Sequence, residues 1–213
     1  PYESEEAYNE RNSRATLKNY TLRTLDNLTS KAFRDSPKPN DDVPQEILDL
    51  MDDIDAEGSA MTVFARAWFR LAVERSFAFV LVDYSTTAPT EAAGAVANRT
   101  LEDDRKEGVR PFWRLIDPLD VIHLRVAKID GKVRFSEVRI REWEVEADGF
   151  VDKYLERIRV LTPGAFELWE KRVSRKGAKP KWVKIDSGTM DLPYIPLVSF
   201  YTSRTGLGAG KPP

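Results

Sequence analysis

The first third of the chain has apolar positions spaced three or four residues apart, which is typical of helices with one buried face. The first such face comprises Leu17, Tyr20, Thr24, Leu28 and Ala32, before the breaking stretch DSPKPND. A second helix is predicted after Pro44, with an apolar stripe that comprises Ile47, Leu50, Met51 and Ile54. A third helix is predicted to be capped by Ser59, and its buried face comprises Met61, Phe64, Ala65, Trp68, Leu71 and Ala72.

The period of the pattern changes in the second half. FAFVLVD, residues 77–83, predicts a strand that is covered on both sides. From Phe112 the period is two, and Asp-Gly at 130–131 and 148–149 and Pro-Gly at 163–164 predict turns. The predicted antiparallel meander has strands near residues 112–116, 121–129, 132–146, 150–162, 165–173, 181–186 and 195–201. This order predicts an α+β fold, with N-terminal helices packed on a mostly antiparallel β-sheet meander.

The same pattern divides the chain into four parts. Residues 1–84 are the helical part that ends in the buried strand, and residues 85–111 are a long loop. Residues 112–201 form the meander, and residues 202–213 are a flexible connector. The connector ends in RTGLGAGKPP. This stretch would match a phosphate-binding loop only if position 205 were Gly and position 212 were Ser or Thr. Thr205 and Pro212 stand there instead, so the sequence does not predict a nucleotide site.

The composition excludes several classes of functional site. The chain has no Cys and one His, His123, which excludes disulfides, thiolate zinc sites and imidazole clusters, and no cofactor is expected. No long apolar run or signal peptide stands out, so a soluble, intracellular protein without membrane contact is expected. The net charge of −2 conceals nine acids against one base in residues 35–57, and seven bases without an acid in residues 171–184. Such asymmetry bears on association rather than on fold.

Two carboxylate patterns suggest metal chemistry. Asp53, Asp55, Glu57 and Gly58 match the start of a calcium loop, but Phe64 stands where the bidentate Glu is needed, so a capped turn is the better interpretation. Glu142, Glu144 and Glu146 share one side of a strand and could hold a divalent metal for phosphodiester cleavage. The ordinary interpretation of this row is a solvent face, with Trp143 and Val145 turned to the core.

Seven stretches, taken in order, resemble one known family. They are ERNSRATLKNYTLRTLDNLTSKAF, DDIDAEGSAMTVF, FVLVDYSTTAP, RPFWRLIDPLDVI, VRIREWEVEADGF, RVLTPGAFELW and LPYIPLVSFYTSR. Together they resemble the portal proteins of tailed bacteriophages, the head-tail connectors, in the group associated with long-tailed phages and prophages. The resemblance covers nearly the whole chain. It departs from the family pattern at DVIHLRV, where His123 and Leu124 stand in place of an expected Trp.

This resemblance implies a structural subunit without catalysis, in a ring usually of twelve copies through which DNA is packaged and ejected. The implied partners are the protein itself, the terminase, capsid or scaffold proteins, head-tail adaptors and double-stranded DNA. The implied location is the virion, and the host cytoplasm during assembly. The chain resembles the wing portion, which precedes the stem and clip, so residues 202–213 would lead to a segment absent here.

The charge asymmetry then predicts subunit contacts. We expect an acidic interface at Asp49, Asp52, Asp53 and Asp55, and a basic interface or DNA-facing surface at Arg172, Arg175, Lys176, Lys179 and Lys181. The two regions are expected on opposite faces of the subunit. The alternatives are a metal-dependent nucleic-acid-processing enzyme that uses the three glutamates, and a generic binding module.

Overall fold

The computed structural model describes residues 3–15, 19–84, 108–173 and 179–211. The chain divides into two compact units, Pro1–Ser36 and Pro37–Pro213. The first unit contains helix α1 (Glu5–Arg14) and helix α2 (Tyr20–Ala32). Each helix begins at a side-chain cap, because Ser4 accepts a hydrogen bond from the amide of Ala7 and Asn19 accepts one from Leu22. The predicted helix is confirmed over residues 20–32, but its predicted face is not buried, since Tyr20 and Leu28 are 64% and 47% exposed; Leu17 lies outside the described residues.

The second unit begins with a one-turn helix, α3 (Gln45–Leu48), followed by turns and then helix α4 (Met61–Arg75). The longer helix predicted after Pro44 is therefore wrong. Side-chain oxygens of Asp53 and Asp55 accept hydrogen bonds from the amides of residues 57–59, and Ala56 and Gly58 adopt positive φ angles of 60° and 94°. These bonds stabilise turns instead of a second helical turn. Ser59 does not cap α4 either, since the cap position is Ala60, which lacks a side-chain bond.

The strands form two antiparallel sheets and a small hairpin. Their bounds are β1 (Phe77–Tyr84), β2 (Pro111–Ile116), β3 (Val121–Ile129), β4 (Lys132–Asp148), β5 (Val151–Thr162), β6 (Ala165–Arg172), β7 (Lys181–Thr189), β8 (Leu197–Tyr201), β9 (Arg204–Gly206) and β10 (Ala209–Gly210). The three-stranded sheet has the order β2-β1-β8, and the five-stranded sheet has the order β3-β4-β5-β6-β7. The α+β class is confirmed. The meander comprises only β3 to β7, because the first and last predicted strands pair with β1 instead.

Strand β1 separates two apolar clusters, because its side chains alternate between the faces of the three-stranded sheet. Phe79 and Leu81 pack in one cluster with Val138 and Ile140 of the five-stranded sheet. Val80 packs on the other side with Ile54 and with Phe64 of α4. The second unit therefore has three layers in the order helix and turns, three-stranded sheet, five-stranded sheet. Within the second unit, no described layer covers the outer face of the five-stranded sheet.

The glycine-rich end of the chain is packed rather than flexible. Residues 204–210 form the hairpin β9-β10, and Leu207 in its turn packs against the main apolar cluster. The amide of Gly208 donates a hydrogen bond to the hydroxyl of Tyr201 at 2.6 Å. The flexible connector predicted over residues 202–213 is thus wrong for 204–210. The sequence misled because glycine here permits close packing: a Cβ on Gly208 would lie 2.7 Å from Leu124 Cδ2.

Candidate functional site

The acidic segment, defined as residues 41–57, lies in the helix-and-turn layer. Ile54, 4% exposed, anchors it, and the carbonyl of Ile54 accepts a 2.8 Å hydrogen bond from the amide of Trp113 in β2. The segment carries eight carboxylates and no base. It therefore presents concentrated negative charge on one outer side of the second unit.

The four predicted acidic residues have different surroundings. Asp53 pairs with Arg110 at 2.6 Å, and Asp55 is held by turn amides. Burial raises the pKa of Asp55, but the hydrogen bonds from Ser59 and Glu57 together lower it by a larger amount. The pKa of Asp55 therefore lies below its usual value. Asp49 accepts a hydrogen bond from Gln45, whereas Asp52 is exposed and has no ion-pair partner among the described residues. Asp49 and Asp52 are thus better placed for an external contact than Asp53 and Asp55, which hold the turn.

The predicted basic residues lie at the β6-β7 end of the five-stranded sheet. Arg172 pairs with Lys181 across the strands, and both are exposed, as is Lys179. The guanidinium of Arg172 donates a 2.8 Å hydrogen bond to Glu170, which is 6% exposed. Arg175 and Lys176 lie outside the described residues. The structure therefore brings Arg172, Lys179 and Lys181 to one strand end, in a different layer from the acidic segment.

The row of glutamates is only partly on a solvent face: Glu144 and Glu146 are 56% and 58% exposed, as expected, but Glu142 is not. Glu142 follows Val138 and Ile140 on the inner face of β4, and it is 9% exposed. Its carboxylate accepts hydrogen bonds from Arg159 at 2.7 Å and from Arg114 at 2.9 Å. Trp143 and Val145 instead face outward, 57% and 52% exposed. The spacing from Ile140 could have revealed this, since positions two residues apart share a face.

Each glutamate of the row faces a cation. Glu144 pairs with Arg157 at 3.1 Å, and Glu146 pairs with Lys153 at 3.6 Å. Burial would lower the pKa of Arg159, but the hydrogen bond and charge of Glu142 raise it above its ordinary value. In the part of the chain that the structure describes, no three carboxylate or imidazole groups are arranged to hold a metal ion. The three glutamates of β4 thus form ion pairs with bases of the neighbouring strand β5. The sequence pattern of β4 alone does not reveal these pairs, because the partners lie on another strand.

Beyond Glu142 the sheet narrows to two strands. β3 pairs with β4 only as far as Ile140, and β6 pairs with β5 only from Arg157 onward. Residues 143–156 therefore form a two-stranded arm, which is the name used below. Its exposed apolar side chains are Trp143, Val145, Phe150, Val151 and Tyr154. Apart from the unusual length of the two strands, no pattern in the sequence predicts this arm.

The outer face of the five-stranded sheet carries an apolar groove of about 350 Å³. Its lining residues are Ile122, Arg139, Ile158, Val160, Glu167, Trp169 and Trp182. The register places Trp143 and Tyr154 of the arm on this same face, because Arg141 pairs with Ile158 and Val145 pairs with Tyr154. Groove and arm therefore belong to one face of the sheet.

A larger cleft of about 1180 Å³ lies beside β2 and is lined by residues of all three layers. Arg159 and Asp83 lie in its wall and pair with each other at 3.6 Å. Tyr84 and Pro111 also line it, and they flank residues 85–107, so this volume refers to the described residues alone. The predicted loop over residues 85–111 lies outside the described residues up to 107.

No protein-family profile matches the sequence, and no curated protein matches it. Among the described residues, no helix is both long and apolar enough to cross a membrane.

Proposed function

We propose that the chain is the wing portion of a bacteriophage portal subunit, a structural component of the ring through which DNA is packaged and ejected. The basis is the ordered resemblance of seven stretches of the sequence, and the α+β fold agrees with a wing. The proposed partners are further copies of the subunit, the terminase, capsid or scaffold proteins, head-tail adaptors and the DNA in the channel.

One observation supports this proposal more than any other. The acidic segment and the basic strand end lie in different layers of the second unit, one on each side of the three-stranded sheet. A ring requires heterologous contacts, in which one face of a subunit meets a different face of its neighbour. Opposite charges on separate faces steer such a contact and fix its register, whereas each exposed pair contributes only about 0–1 kcal/mol.

The surroundings of the three glutamates support a structural function over the metal-dependent alternative. A two-metal nuclease needs carboxylates that converge on the ion. Here Glu142, Glu144 and Glu146 each face a basic side chain. The proposal therefore assigns them to the stability of the five-stranded sheet.

The proposal is tested by measuring the mass of the full-length protein's assemblies by light scattering, and by imaging them in the electron microscope. A closed ring of about twelve subunits is expected. Because salt screens exposed charges, raising the salt concentration should weaken association of the parent protein. The effect of salt should differ for a variant in which the basic strand end carries the opposite charge.

The test variant is Arg172→Glu, Lys179→Glu and Lys181→Glu together, which should impair ring assembly. The matched control is Lys128→Glu, Lys132→Glu and Lys211→Glu, which makes the same change in net charge at exposed lysines elsewhere in the second unit. Equal assembly of both variants would remove the charge argument. A monomer that cleaves DNA with Mg²⁺ or Mn²⁺ would refute the structural function itself.

A further inference from the structure

The outer face of the five-stranded sheet has the composition of a protein interface. Three of the five tryptophans of the chain, Trp143, Trp169 and Trp182, lie on it. Exposed aromatic surface of this extent is rare on a face that meets only water. Trp, Tyr and Arg are also the residues that most often dominate the energy of protein contacts.

The charged side chains of this face are mostly paired with one another. Glu137 pairs with Arg139 at 2.6 Å and with Arg125 at 3.5 Å, and Glu167 pairs with Lys184 at 3.4 Å. Five bases face four acids across the register, so the face keeps an excess of one positive charge. The bases are Arg125, Arg139, Arg141, Lys171 and Lys184, and the acids are Glu137, Asp152, Glu156 and Glu167. The face therefore has an apolar centre, and around it lie charged side chains that are mostly paired and slightly basic in sum.

We infer that this face, from the groove to the arm, docks on the acidic segment of a second copy of the chain. The inference rests on the proposed function and names the two surfaces that meet in the ring. The first argument is charge: the acidic segment has eight carboxylates and no base, and among its exposed acids Asp41, Asp42 and Asp52 have no ion-pair partner among the described residues. They complement the basic excess of the outer face.

The second argument is shape and position. Ile47 stands 47% exposed among these carboxylates, in the one-turn helix α3, and the groove offers an apolar site for it. Acidic segment and outer face belong to the two opposite outer layers of the second unit. A contact between them is therefore head-to-tail, and each bound copy leaves the same pair of surfaces free for the next.

The third argument is area. Strand spacings of about 4.8 Å and rises of about 3.3 Å per residue give the five-stranded face and the arm about 700 Å² together. A stable protein interface takes about 800 Å² from each partner. The outer face thus supplies nearly the area that a stable contact requires.

Single-stranded nucleic acid is the competing occupant, because bases stack on exposed aromatic rings. Phosphate binding needs cations without a partner, and those of this face are largely held by Glu137, Glu156 and Glu167. The observations therefore favour protein.

The absence of cysteine from the chain makes the inference testable by site-specific cross-linking. One set of full-length copies carries Asp49→Cys, and a second set of different mass carries Ile122→Cys at the exposed edge of the groove. The two sets are mixed, assembled and treated with a short bismaleimide. Mixed cross-linked pairs are expected. Copies with Lys132→Cys, an exposed position in the β3-β4 hairpin, replace the second set as the control and should give none.

A groove variant, Trp182→Ala with Ile158→Ala, gives a second measurement. Its assembly should weaken at least about tenfold, as for loss of an interface hot spot. Val133→Ala, which truncates an exposed side chain outside the groove, should assemble as the parent does. Far-ultraviolet circular dichroism of both variants checks that the fold is retained.

The outcomes separate the inference from the proposed function. If the parent forms rings but Ile122→Cys copies cross-link only with one another, or no pair forms, the inference is overturned while the ring function stands. If the parent does not assemble, the proposed function fails and the inference fails with it. If the groove variant assembles normally but loses binding of a fluorescent single-stranded oligonucleotide, nucleic acid is the occupant.

Discussion

Replacement of Glu142 by Gln should destabilise the protein far more than the same replacement at Glu144. The two residues share one face of β4, and each meets an arginine of β5. Their side chains differ in exposure, which is 9% for Glu142 and 56% for Glu144. Strand face and chemistry are thus matched, whereas Glu142 is more buried and also pairs with Arg114 at 2.9 Å.

The magnitudes follow from the charges that each change leaves behind. Glu142→Gln leaves Arg159, 18% exposed, with Asp83 at 3.6 Å as its remaining ion-pair partner. Loss of one partner of a buried pair costs about 3–5 kcal/mol, and the residual pairing places this case near about 3 kcal/mol. Glu144→Gln leaves Arg157 paired with Glu170 at 3.1 Å, so a cost of about 0–1 kcal/mol is expected.

Urea unfolding at neutral pH, followed by tryptophan fluorescence, measures both changes. With a slope of about 1–3 kcal/mol/M, the midpoint for Glu142→Gln should fall by about 1–3 M, and that for Glu144→Gln by well under 1 M. Equal shifts would refute the burial argument. Stabilisation by both changes would indicate a cluster of repelling carboxylates instead, and would restore the metal-site alternative.

Three further predictions follow from individual contacts. The hydrogen bond from Arg172 lowers the pKa of Glu170, although burial acts in the opposite direction. Ionised Glu170 therefore stabilises the fold above about pH 4.5, and this stabilisation is lost as the pH falls through the lowered pKa. In acid titrations, the free energy of unfolding of Glu170→Gln should fall less steeply below about pH 4.5 than that of the parent. Gly208→Ala should cost about 1–3 kcal/mol in urea unfolding, because φ is +72° and Leu124 lies in the way; a midpoint equal to the parent's would contradict the packing of the hairpin. Phe150→Ser at the tip of the arm should change the free energy of unfolding by less than about 0.5 kcal/mol, since the side chain contacts mainly solvent, and a larger loss would mean that the arm is packed within the monomer.

The sequence predicted the strands well because local signals define them. The Asp-Gly and Pro-Gly turns and the two-residue period locate β3 to β7 within a few residues. The pairing of β1 with β2 and β8 has no local signal, since the partners are far apart in the chain. The helix predicted after Pro44 failed because Asp53 and Asp55 satisfy turn amides, which a count of apolar positions does not detect.

The candidate surfaces were only partly predictable. The charge bias of residues 41–57 and 171–184 is visible in composition, and so the acidic segment and the basic strand end could be named. Which acid is free and which is held depends on partners such as Arg110, distant in sequence from Asp53. The groove requires residues from five strands to be aligned, and that register is a product of the fold.

The central position of β1 also determines how the second unit opens. Both of its edges are hydrogen-bonded, to β2 and to β8, and both of its faces are covered by apolar clusters. Its amides can therefore exchange with solvent only when their hydrogen bonds to β2 or β8 break and the packed layers open to admit water. The slowest hydrogen exchange of the second unit should lie in residues 78–81. Because both outer layers pack on this strand, a change that loosens one layer should also affect the packing of the other.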